Sequence, residues 1–510
     1  MTVDYSVYLV TDSTMIPEGC TFLGQVEQAV ANGATLVQLR EKLMLTRDFI
    51  AQAEKVHAVC KAKGVPLIIN DRVDVALAID AEGVHVGQDD MPAPLVRRLI
   101  GNDKILGVTC STVEETEQVA KEAVADYVGL GTVYPTKTKS DVTDPQGTGP
   151  LGIRKMLKVL QEHNRDGAKP PIRSVAIGGI NHSNAAQVMY QCRVGANTDN
   201  EEAIDGVAVV LCIMALKDAG KATRELQQLV TAPAPWLATA SSEVETSNNY
   251  VGAVRDKSPL VHHLTNNVVK NFSANVTLAV GALPIMSELK GDFSDLAAAP
   301  YAACVVNMGT PDPDTLAMFA AAIGAYNNAR KHVVFDPVGC GATSARLAAA
   351  AKIVNSGVVS VIKGNPGEVW ALSTLGANYQ ALSKTVTSKG VDFDGAMSDD
   401  DRRELALTVA REFRCICVVT GAHTCIADAD HAVIVDKGHP MMGQVTGLGC
   451  LLGSVIGAHL AVADLTAPSA FAAVVSAIER YGDAGTAAGA GAPGPGSFVP
   501  SFIDELARQK

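Results

Sequence analysis

Residues 66–90 read PLIINDRVDVALAIDAEGVHVGQDD, and this stretch decides the fold. Two short apolar runs, Pro66 to Asn70 and Gly83 to Val86, have the composition of buried β-strands, with a longer segment between them. Polar residues follow both runs, as Asn70-Asp71-Arg72 and Gln88-Asp89-Asp90. A strand, a helix and a second strand make a βαβ unit with parallel strands. The stretch therefore predicts one unit of a parallel sheet with polar strand ends.

The same alternation extends in both directions as far as residue 230. Long segments with helical spacing, such as Phe22 to Asn32 and Thr46 to Lys63, lie between the strand candidates. Regular alternation of eight βα units predicts a closed (β/α)8 TIM barrel. The eight strand candidates are Tyr5 to Thr11, Leu36 to Leu39, Pro66 to Asn70, Gly83 to Val86, Ile105 to Thr109, Tyr127 to Val133, Ser174 to Ile177 and Val207 to Cys212.

The composition changes at residues 231–249, which are rich in Pro, Ala, Ser and Thr. We interpret them as a linker between a domain at 1–230 and a domain at 250–510, although a surface excursion within one domain is an alternative. The later alternation has more Ala and Gly and predicts an open α/β/α sandwich. Thr374 to Asp401 is polar and predicted to be an inserted loop. The later strand candidates are Cys304 to Asn307, His332 to Phe335, Val358 to Ile362, Ile416 to Val419 and Ala432 to Val435.

Composition and charge exclude several classes of protein. The chain has 510 residues, enough for two or three domains, and a net charge of -12, which gives no general footprint for nucleic acid. Eleven Cys residues without a C-x-x-C pair argue against a disulfide scaffold or a zinc site and favour a reducing compartment. The first residues do not resemble a signal peptide, and no apolar run is long enough to cross a membrane. We therefore expect a cytoplasmic enzyme without a membrane partner.

The ends of the barrel strands carry groups that suit a diphosphate, and functional residues of such barrels lie at those ends. Alternation along the second strand places Gln38, Arg40 and Lys42 on one face. Two acids from adjacent strand ends can hold Mg²⁺, and Gly178-Gly179 allows a phosphate to approach backbone N–H groups. Structural alternatives remain for each motif taken alone. An Asp after a strand is often a helix cap, a Lys-rich loop is often only solvated, and a His in an apolar strand, such as His85, is often packed in the core.

The motifs of residues 5–230 together resemble those of thiamine-phosphate synthases. They are Gln38-Leu-Arg-Glu-Lys42, Ile69-Asn-Asp-Arg72, Gly83-Val-His-Val-Gly-Gln-Asp-Asp90, Gly129 to Lys139 and Ala176-Ile-Gly-Gly-Ile180. The resemblance implies coupling of hydroxymethylpyrimidine diphosphate with thiazole phosphate, with release of diphosphate. It implies that Asp71 and Asp90 bind Mg²⁺. It further implies that the pyrimidine diphosphate is held by Gln38, Arg40, Lys42, Asn70, Thr109 and Lys139, and that Thr136, Thr138 and Gly179 lie by the thiazole phosphate.

Two features of this half depart from the family pattern. The last strand usually ends with a Ser near the phosphate, whereas this chain reads Val209-Val-Leu-Cys212. Residues 195–205 are predicted to be an insertion ahead of that strand. Both departures concern the thiazole-phosphate side of the site.

The second half has no G-x-x-x-x-G-K-[ST] motif, so a Walker-type ATP site is not expected. Gly447-Leu-Gly449 lacks the rest of a dinucleotide fingerprint. Thr446 to Cys450 instead precedes a helical run, and small residues at a helix N-terminus expose N–H groups that bind phosphate charge. The helix dipole is expected to lower the pKa of the Cys450 thiol, which would then assist a substrate hydroxyl. The alternative is that Cys450 is only a small buried residue.

Residues 250–510 resemble hydroxyethylthiazole kinases, which have a ribokinase-like fold. The motifs are Leu260 to Asn266, Asp336 to Thr343, Lys363-Gly-Asn-Pro-Gly-Glu368, Val418 to Gly421 and Gly494 to Phe498. The resemblance implies ATP as co-substrate. It implies that Asn365 and Glu368 organise Mg²⁺, with Asp336 near the same metal, and that Met286 and Asn266-Asn267 face the thiazole. It places Lys363 and Thr420 near the nucleotide phosphates, and Cys450, Gly447 and Gly449 beside the transferred phosphate.

Together, the two halves resemble the fungal type of bifunctional enzyme, which carries out consecutive steps of thiamine phosphate synthesis. Lys363 stands where an Arg is usual, and Leu448 where the family often has Thr. Related kinases are trimers, so a homo-oligomer with a multiple of three subunits is expected. One alternative is a thiamine-precursor sensor that has lost catalysis, but the chain has both Asp71 with Asp90 and Asn365 with Glu368. Another is an unrelated barrel enzyme fused to a sugar or pyrimidine kinase, but sugar kinases of this fold generally have Asp at the position of Cys450.

Overall fold

The computed structural model of the chain describes residues 3–136, 147–167, 169–195, 201–233, 249–377, 388–389, 392–393, 397–465 and 467–509. The chain divides into two compact units, Met1–Ala234 and Pro235–Lys510. Thr138, Lys139 and most of the linker at 231–249 lie outside the described residues. The ends of the linker belong to helices, because Thr231 closes one helix and Asn249 caps the next. No helix among the described residues is long and apolar enough to span a membrane.

The first unit contains a closed barrel of eight parallel strands, in the order β1-β8-β7-β6-β5-β4-β3-β2. Each strand is short and almost entirely buried, because one face lies against the surrounding helices and the other fills the barrel. The carboxyl ends of all eight strands therefore meet at one end of the barrel. The strands are β1 Val7–Val10, β2 Leu36–Leu39, β3 Leu67–Asn70, β4 Gly83–Val86, β5 Ile105–Cys110, β6 Tyr127–Gly131, β7 Arg173–Ile177 and β8 Gly206–Val209.

Helices connect these strands as the sequence periodicity predicts. Thr21 and Thr112 cap their helices by accepting hydrogen bonds from backbone N–H groups. An antiparallel pair of short strands, Arg193–Val194 and Glu202–Ala203, lies outside the barrel in the segment predicted to be inserted. The helices are α1 Phe22–Ala31, α2 Thr46–Ala62, α3 Val73–Ala78, α4 Ala93–Ile100, α5 Val113–Glu122, α6 Gly149–Arg165, α7 Ala185–Gln191, α8 Leu211–Met214 and α9 Ala219–Thr231.

The second unit is built on an eight-stranded open sheet with the order β10-β9-β11-β12-β13-β14-β15-β16. The first six strands of this order are parallel, and the last two continue the sheet antiparallel. Pro284 lies in the edge strand β10, where a residue without an N–H is tolerated. The strands are β9 Leu260–Leu264, β10 Leu283–Ile285, β11 Ala302–Asn307, β12 His332–Asp336, β13 Val361–Gly364, β14 Ile416–Val419, β15 Thr424–Ala427 and β16 Ala432–Val435.

Two helical layers cover this sheet. One layer includes the apolar α17, which packs on β9, β11 and β12, and the other includes α13, which packs on β11 and β12. A hydrophobic cluster of the second unit joins the strands to α17, α18 and α19. The helices are α10 Tyr250–Lys257, α11 Lys270–Ala279, α12 Phe293–Ala297, α13 Pro313–Asn328, α14 Ser344–Ser356, α15 Pro366–Ser373, α16 Asp399–Phe413, α17 Leu448–Leu460, α18 Ala467–Gly491 and α19 Pro495–Arg508.

Several boundaries differ from those predicted from sequence. β8 ends at Val209, so Cys212 belongs to α8 rather than to the last barrel strand. Val358 lies before β13, which runs from Val361 to Gly364. The whole segment 374–401 was predicted to be an inserted loop, but α16 already begins at Asp399. At the first two boundaries, apolar residues flank a strand and extend the sequence pattern beyond the hydrogen-bonded pairing.

Candidate active sites

A cavity of about 160 Å³ opens at the carboxyl ends of the barrel strands. It gathers side chains from several strand ends that are far apart in sequence but meet at one rim. A larger opening of about 490 Å³ lies at the other end of the barrel and is lined by Asp126, Asp205 and other polar residues at strand starts. The rim cavity is lined by Gln38, Arg40, Lys42, Asn70, Asp71, Asp90, Thr109, Thr136, Gly178 and Gly179, among others.

Asp71 and Asp90 face each other in this cavity, and their carboxyl groups are within hydrogen-bonding reach. Burial, the hydrogen bond to Asp90 and the Asp90 charge raise the pKa of Asp71 to about 6. Arg40 and Lys42 oppose this increase. The Asp71 backbone has a left-handed φ of 60° and donates its N–H to the carbonyl of His85. Two close acids beside two cations match a divalent cation and an anionic ligand.

Gly178 and Gly179 form the opposite wall of the cavity, both with left-handed φ values, 99° and 66°. A Cβ atom on Gly179 would lie 2.8 Å from the carbonyl oxygens of Tyr134 and Pro135. The carbonyl of Gly179 accepts a hydrogen bond from the Asn184 side chain. Only glycine fits this backbone, which lets a ligand approach the main chain closely.

In the second unit, four side chains form a buried group that we call the Asp336 cluster: Asp336, Lys363, Glu368 and Cys450. Asp336 ends β12, and Lys363 lies near the end of the neighbouring β13. Lys363 Nζ lies 2.9 Å from Asp336 Oδ2. Burial raises the pKa of Asp336, and the Lys363 ammonium opposes that increase. Burial alone would lower the pKa of Lys363, but the Asp336 carboxylate holds it above its usual value.

Glu368 is held by the first turn of α15. Its Oε2 accepts the N–H of Asn365, and Asn365 Oδ1 accepts the N–H of Glu368, which completes a capping box. Oε1 of Glu368 accepts the N–H of Gly339. Burial and the nearby charge of Asp336 raise the pKa of Glu368 to about 7. The N-x-x-E motif therefore fixes a carboxyl group beside Asp336.

Cys450 lies in the first turn of α17, where Gly447 with φ 93° is the N-cap. The sequence interpretation predicted a lowered thiol pKa, and this was wrong. Burial, followed by the charge of Asp336, raises the pKa of Cys450 to about 11. Desolvation disfavours the thiolate more strongly here than the helix dipole favours it. Cys450 is therefore a neutral thiol near pH 7.

Each half of the chain matches a known protein family. A family model described as "Thiamine monophosphate synthase" matches residues 7–213, and one described as "Hydroxyethylthiazole kinase family" matches residues 251–509. The chain is 40% identical to the "Thiamine biosynthetic bifunctional enzyme" of Saccharomyces cerevisiae, over 99% of this chain and 95% of the yeast protein. The chain belongs to the family of bifunctional thiamine biosynthetic enzymes.

A second relative that matches the whole chain agrees with this assignment. The "Probable thiamine biosynthetic bifunctional enzyme" of Schizosaccharomyces pombe is 38% identical over 99% of this chain and 95% of its own length. The hydroxyethylthiazole kinase structure from Pyrococcus horikoshii is 34% identical, covers 51% of this chain and 92% of its own, and has a TM-score of 0.44. This bifunctional thiamine biosynthetic enzyme thus combines a thiamine-phosphate synthase and a hydroxyethylthiazole kinase. The expected closed barrel followed by an open α/β/α sandwich is confirmed.

In the synthase half of this enzyme, the predicted site residues within the described ranges all line the rim cavity. Thr138 and Lys139 lie outside the described residues. Leu211, rather than Cys212, lines the cavity after β8, and Cys212 is buried in α8. Sequence reasoning treated His85 as a packed core residue. It is buried, but it also lines the cavity.

In the kinase half, the predicted residues of the β12 and β13 ends, α15 and α17 come together in the Asp336 cluster. Thr420 follows β14 and donates its N–H to the carbonyl of Gly364. Met286 is half-buried directly after β10. Sequence reasoning missed Asn307, whose side chain donates to Asp336 Oδ2 over 2.8 Å and accepts from Asn266 over 3.0 Å. Its position as the last residue of β11, in register with Asp336, is the signal that could have identified it.

Proposed function

We propose that hydroxymethylpyrimidine diphosphate is coupled to thiazole phosphate in the rim cavity. The role of each side chain that lines the cavity follows from its position. Arg40 and Lys42 neutralise the departing diphosphate, whose negative charge grows as its bond to carbon breaks. Gln38, Asn70 and Thr109 hold the pyrimidine. Thr136 and the backbone at Gly179 hold the thiazole phosphate. By resemblance, we assign Thr138 to the thiazole phosphate and Lys139 to the pyrimidine diphosphate. The buried walls keep water from the reactive carbon.

We further propose that Asp71 and Asp90 hold Mg²⁺ in this cavity. Among the described residues, no group of three or more His, Cys, Asp or Glu side chains is placed to hold a metal. A pair of carboxylates fits Mg²⁺ nevertheless, because this ion is usually bound by one or two carboxylates plus substrate phosphates. The hydrogen bond and the charge of Asp90 contribute to the raised pKa of Asp71, and a divalent cation between the two carboxyl groups would relieve this repulsion. When bound, the ion would neutralise diphosphate oxygens.

The kinase cluster supports phosphorylation of 4-methyl-5-(2-hydroxyethyl)thiazole by ATP, the co-substrate that its family uses. We assign Glu368 to Mg²⁺, with Asp336 beside it, because both carboxyl groups are buried and share the cluster with one lysine. The N–H groups at Gly447 and Gly449 face the transferred phosphoryl group from the start of α17. We place Asn365 and Thr420 on the nucleotide side, and Met286 and Asn266 on the thiazole side. We propose that Lys363 contributes indirectly, by neutralising and positioning the Asp336 carboxylate.

The synthase assignment rests on one observation: the carboxyl groups of Asp71 and Asp90 face each other beside Arg40 and Lys42. Asp71→Asn removes one charge at constant size, so coupling should fall by at least about a hundredfold while thiazole phosphorylation stays normal. Asp89→Asn is the matched control, since this exposed neighbour does not line the cavity. Unchanged coupling in Asp71→Asn would refute the assignment.

The kinase assignment is tested with a substrate panel on the full chain. Phosphorylation of the thiazole alcohol should exceed that of ribose and of hydroxymethylpyrimidine by orders of magnitude. A sensor that had lost catalysis would phosphorylate none of the three. Glu368→Gln should lose kinase turnover, and the synthase reaction supplied with thiazole phosphate serves as the control for a folded chain.

We propose a homo-oligomer with a multiple of three subunits, and a cytoplasmic location. Exposed leucines around the edge strand β10 support self-association: Leu278, Leu283 and Leu289 are 55%, 51% and 66% exposed. All eleven Cys residues lie in the described part of the chain and none of them forms a disulfide, which suits a reducing compartment. Light scattering on the purified chain measures the subunit number directly, and a monomer or dimer would contradict the proposal.

A further inference from the structure

A continuous chain of hydrogen bonds crosses the barrel beneath the rim cavity. Gln38 Nε2 donates to the Tyr8 hydroxyl over 2.7 Å, and the hydroxyls of Tyr8 and Tyr127 are 2.6 Å apart. The Tyr127 hydroxyl lies 2.9 Å from Nδ1 of His85, and Nε2 of His85 lies 2.8 Å from Oγ1 of Thr109. Both ends of this chain, Gln38 and Thr109, line the cavity.

The two phenols in the middle of the chain keep their protons. Tyr8 and Tyr127 are 1% and 0% exposed, and burial raises the pKa of both. A phenol hydroxyl carries one hydrogen, so each tyrosine can donate only one of its two bonds in the chain. A buried hydroxyl hydrogen also needs an acceptor, so each phenol donates one bond of the chain and accepts the other, and all donors and acceptors follow one direction.

With Gln38 as the first donor, that direction is determined at every step. Tyr8 donates to Tyr127, and Tyr127 donates to Nδ1 of His85, so the imidazole carries its hydrogen on Nε2 and donates to Thr109. A protonated imidazole would donate from both nitrogens and leave one phenol hydrogen without an acceptor in the chain. The side-chain carbonyl of Gln38, its second amide hydrogen and the hydroxyl hydrogen of Thr109 remain for a ligand.

The barrel makes room for this chain at Gly107 in β5. A Cβ atom there would lie 2.5 Å from His85 Nδ1 and would also collide with the Tyr127 hydroxyl. The ring of Tyr127 additionally packs on those of Tyr5, Tyr8 and His85. The junction between Tyr127 and His85 is thus held by packing as well as by the hydrogen bond.

We propose that Tyr127 is a positioning residue for the synthase reaction: it fixes the tautomer of His85 and, through the chain, which atoms of Gln38 and Thr109 face the pyrimidine. This inference rests on the proposed function of the cavity. An aminopyrimidine offers N–H donors and ring-nitrogen acceptors, which match an acceptor at Gln38 and a donor at Thr109. If the hydrogen bonds of the chain did not all run in one direction, Gln38 or Thr109 would present a donor where the pyrimidine needs an acceptor, or the reverse.

Tyr127→Phe removes the central hydroxyl and keeps the ring. Loss of one buried, aligned hydrogen-bond partner predicts a roughly tenfold higher KM for the pyrimidine diphosphate. The KM for thiazole phosphate should not change. Tyr5→Phe is the matched control, because Tyr5 packs on Tyr127 but has no place in the chain. ¹⁵N NMR of labelled histidine should show His85 with hydrogen on Nε2 in the native chain and a tautomer mixture in Tyr127→Phe.

Two further variants separate failure of this inference from failure of the proposed function. If Gln38→Ala and Asp71→Asn both leave coupling intact, the cavity assignment is wrong. If they impair coupling but Tyr127→Phe has native KM values and a native His85 spectrum, Tyr127 has no positioning role. If Tyr127→Phe does not fold, Tyr8→Phe interrupts the same chain one bond away and must raise the same KM; a native KM there would overturn the proposal.

Discussion

Lys363 Nζ and Asp336 Oδ2 are 2.9 Å apart at the ends of neighbouring strands, and the two side chains are only 4% and 1% exposed. An ion pair this deeply buried depends on both partners, since removal of one leaves the other charge without compensation. This relationship makes Lys363 a support for Asp336 rather than a free contact for nucleotide phosphates. It also leads to the first prediction.

Lys363→Met should destabilise the kinase unit by about 3–5 kcal/mol, the usual cost of breaking a buried pair, and should abolish kinase activity. Urea unfolding and a kinase assay measure the two effects. Adding Asp336→Asn to Lys363→Met should recover much of the stability but none of the activity. Lys363→Arg keeps the cation and is the control. Native stability in Lys363→Met would show that the pair does not hold the cluster together.

The second prediction concerns the pH dependence of the synthase. The pKa of Asp71 is raised to about 6, so its carboxylate is lost as pH falls through that value. The apparent affinity for Mg²⁺ should fall up to roughly tenfold per pH unit below about 6, because the metal competes with a proton. In the metal-free enzyme, the raised pKa stabilises the folded barrel at low pH, and this contribution is lost as pH rises through about 6.

Coupling rates measured against Mg²⁺ concentration at several pH values test this dependence. Asp90→Asn removes the neighbouring charge and should move the midpoint to lower pH. Arg40 and Lys42 already act in that direction, so the remaining increase is due to burial and Asp90. A Mg²⁺ requirement that is independent of pH between 5 and 8 would contradict the assignment of Asp71.

These sites show how far the sequence alone could lead. Motif order predicted both folds and the residues of the rim cavity, because strand ends of a parallel barrel must meet. It did not reveal the partners of Tyr8 and Tyr127, whose positions in apolar strands look like ordinary core. Nor did it reveal that Lys363 pairs with Asp336, since register between separate strands sets that contact.

Short strands were also missed for physical reasons. β10 contains Pro284, which weakens the strand pattern, and β15 has only four residues next to a turn. The pKa of Cys450 was predicted in the wrong direction because the helix dipole is visible in the sequence, whereas burial is not. The magnitude of desolvation depends on tertiary packing, which a single sequence does not give.

The third prediction tests the glycine wall of the rim cavity. Gly179→Ala adds a Cβ that would lie 2.8 Å from two carbonyl oxygens, at a left-handed φ of 66°. The displaced backbone should raise the KM for thiazole phosphate by more than about tenfold, since a shift of ~1 Å can cost a hundredfold. Gly167→Ala is the control, because Gly167 has φ 62° but open space around it. If both variants had the same KM for thiazole phosphate, the effect of Gly179→Ala would be due to backbone strain alone and not to the close approach of the ligand.

The last prediction concerns Cys450, whose pKa of about 11 keeps the thiol neutral. A neutral thiol next to Asp336 and Asn307 can orient a substrate hydroxyl, but it does not act as a free thiolate base. Positioning and electrostatics supply most of the rate in phosphoryl transfer. Cys450→Ala should therefore lower kinase turnover by roughly 10- to 100-fold, at or below the range of general-base catalysis.

Cys450→Ser keeps a small hydroxyl donor at the same site and should retain more activity than Cys450→Ala. The pH profile of native turnover should show no step that Cys450→Ala removes, since the thiol does not ionise near neutral pH. The synthase reaction supplied with thiazole phosphate is the control and should be unaffected. A trapped phosphorylated Cys450 would establish a covalent route. Full kinase activity in Cys450→Ala would show that Cys450 only fills space in the core. Because Cys450 lies in the first turn of α17 and its thiol belongs to the Asp336 cluster, we expect neither result.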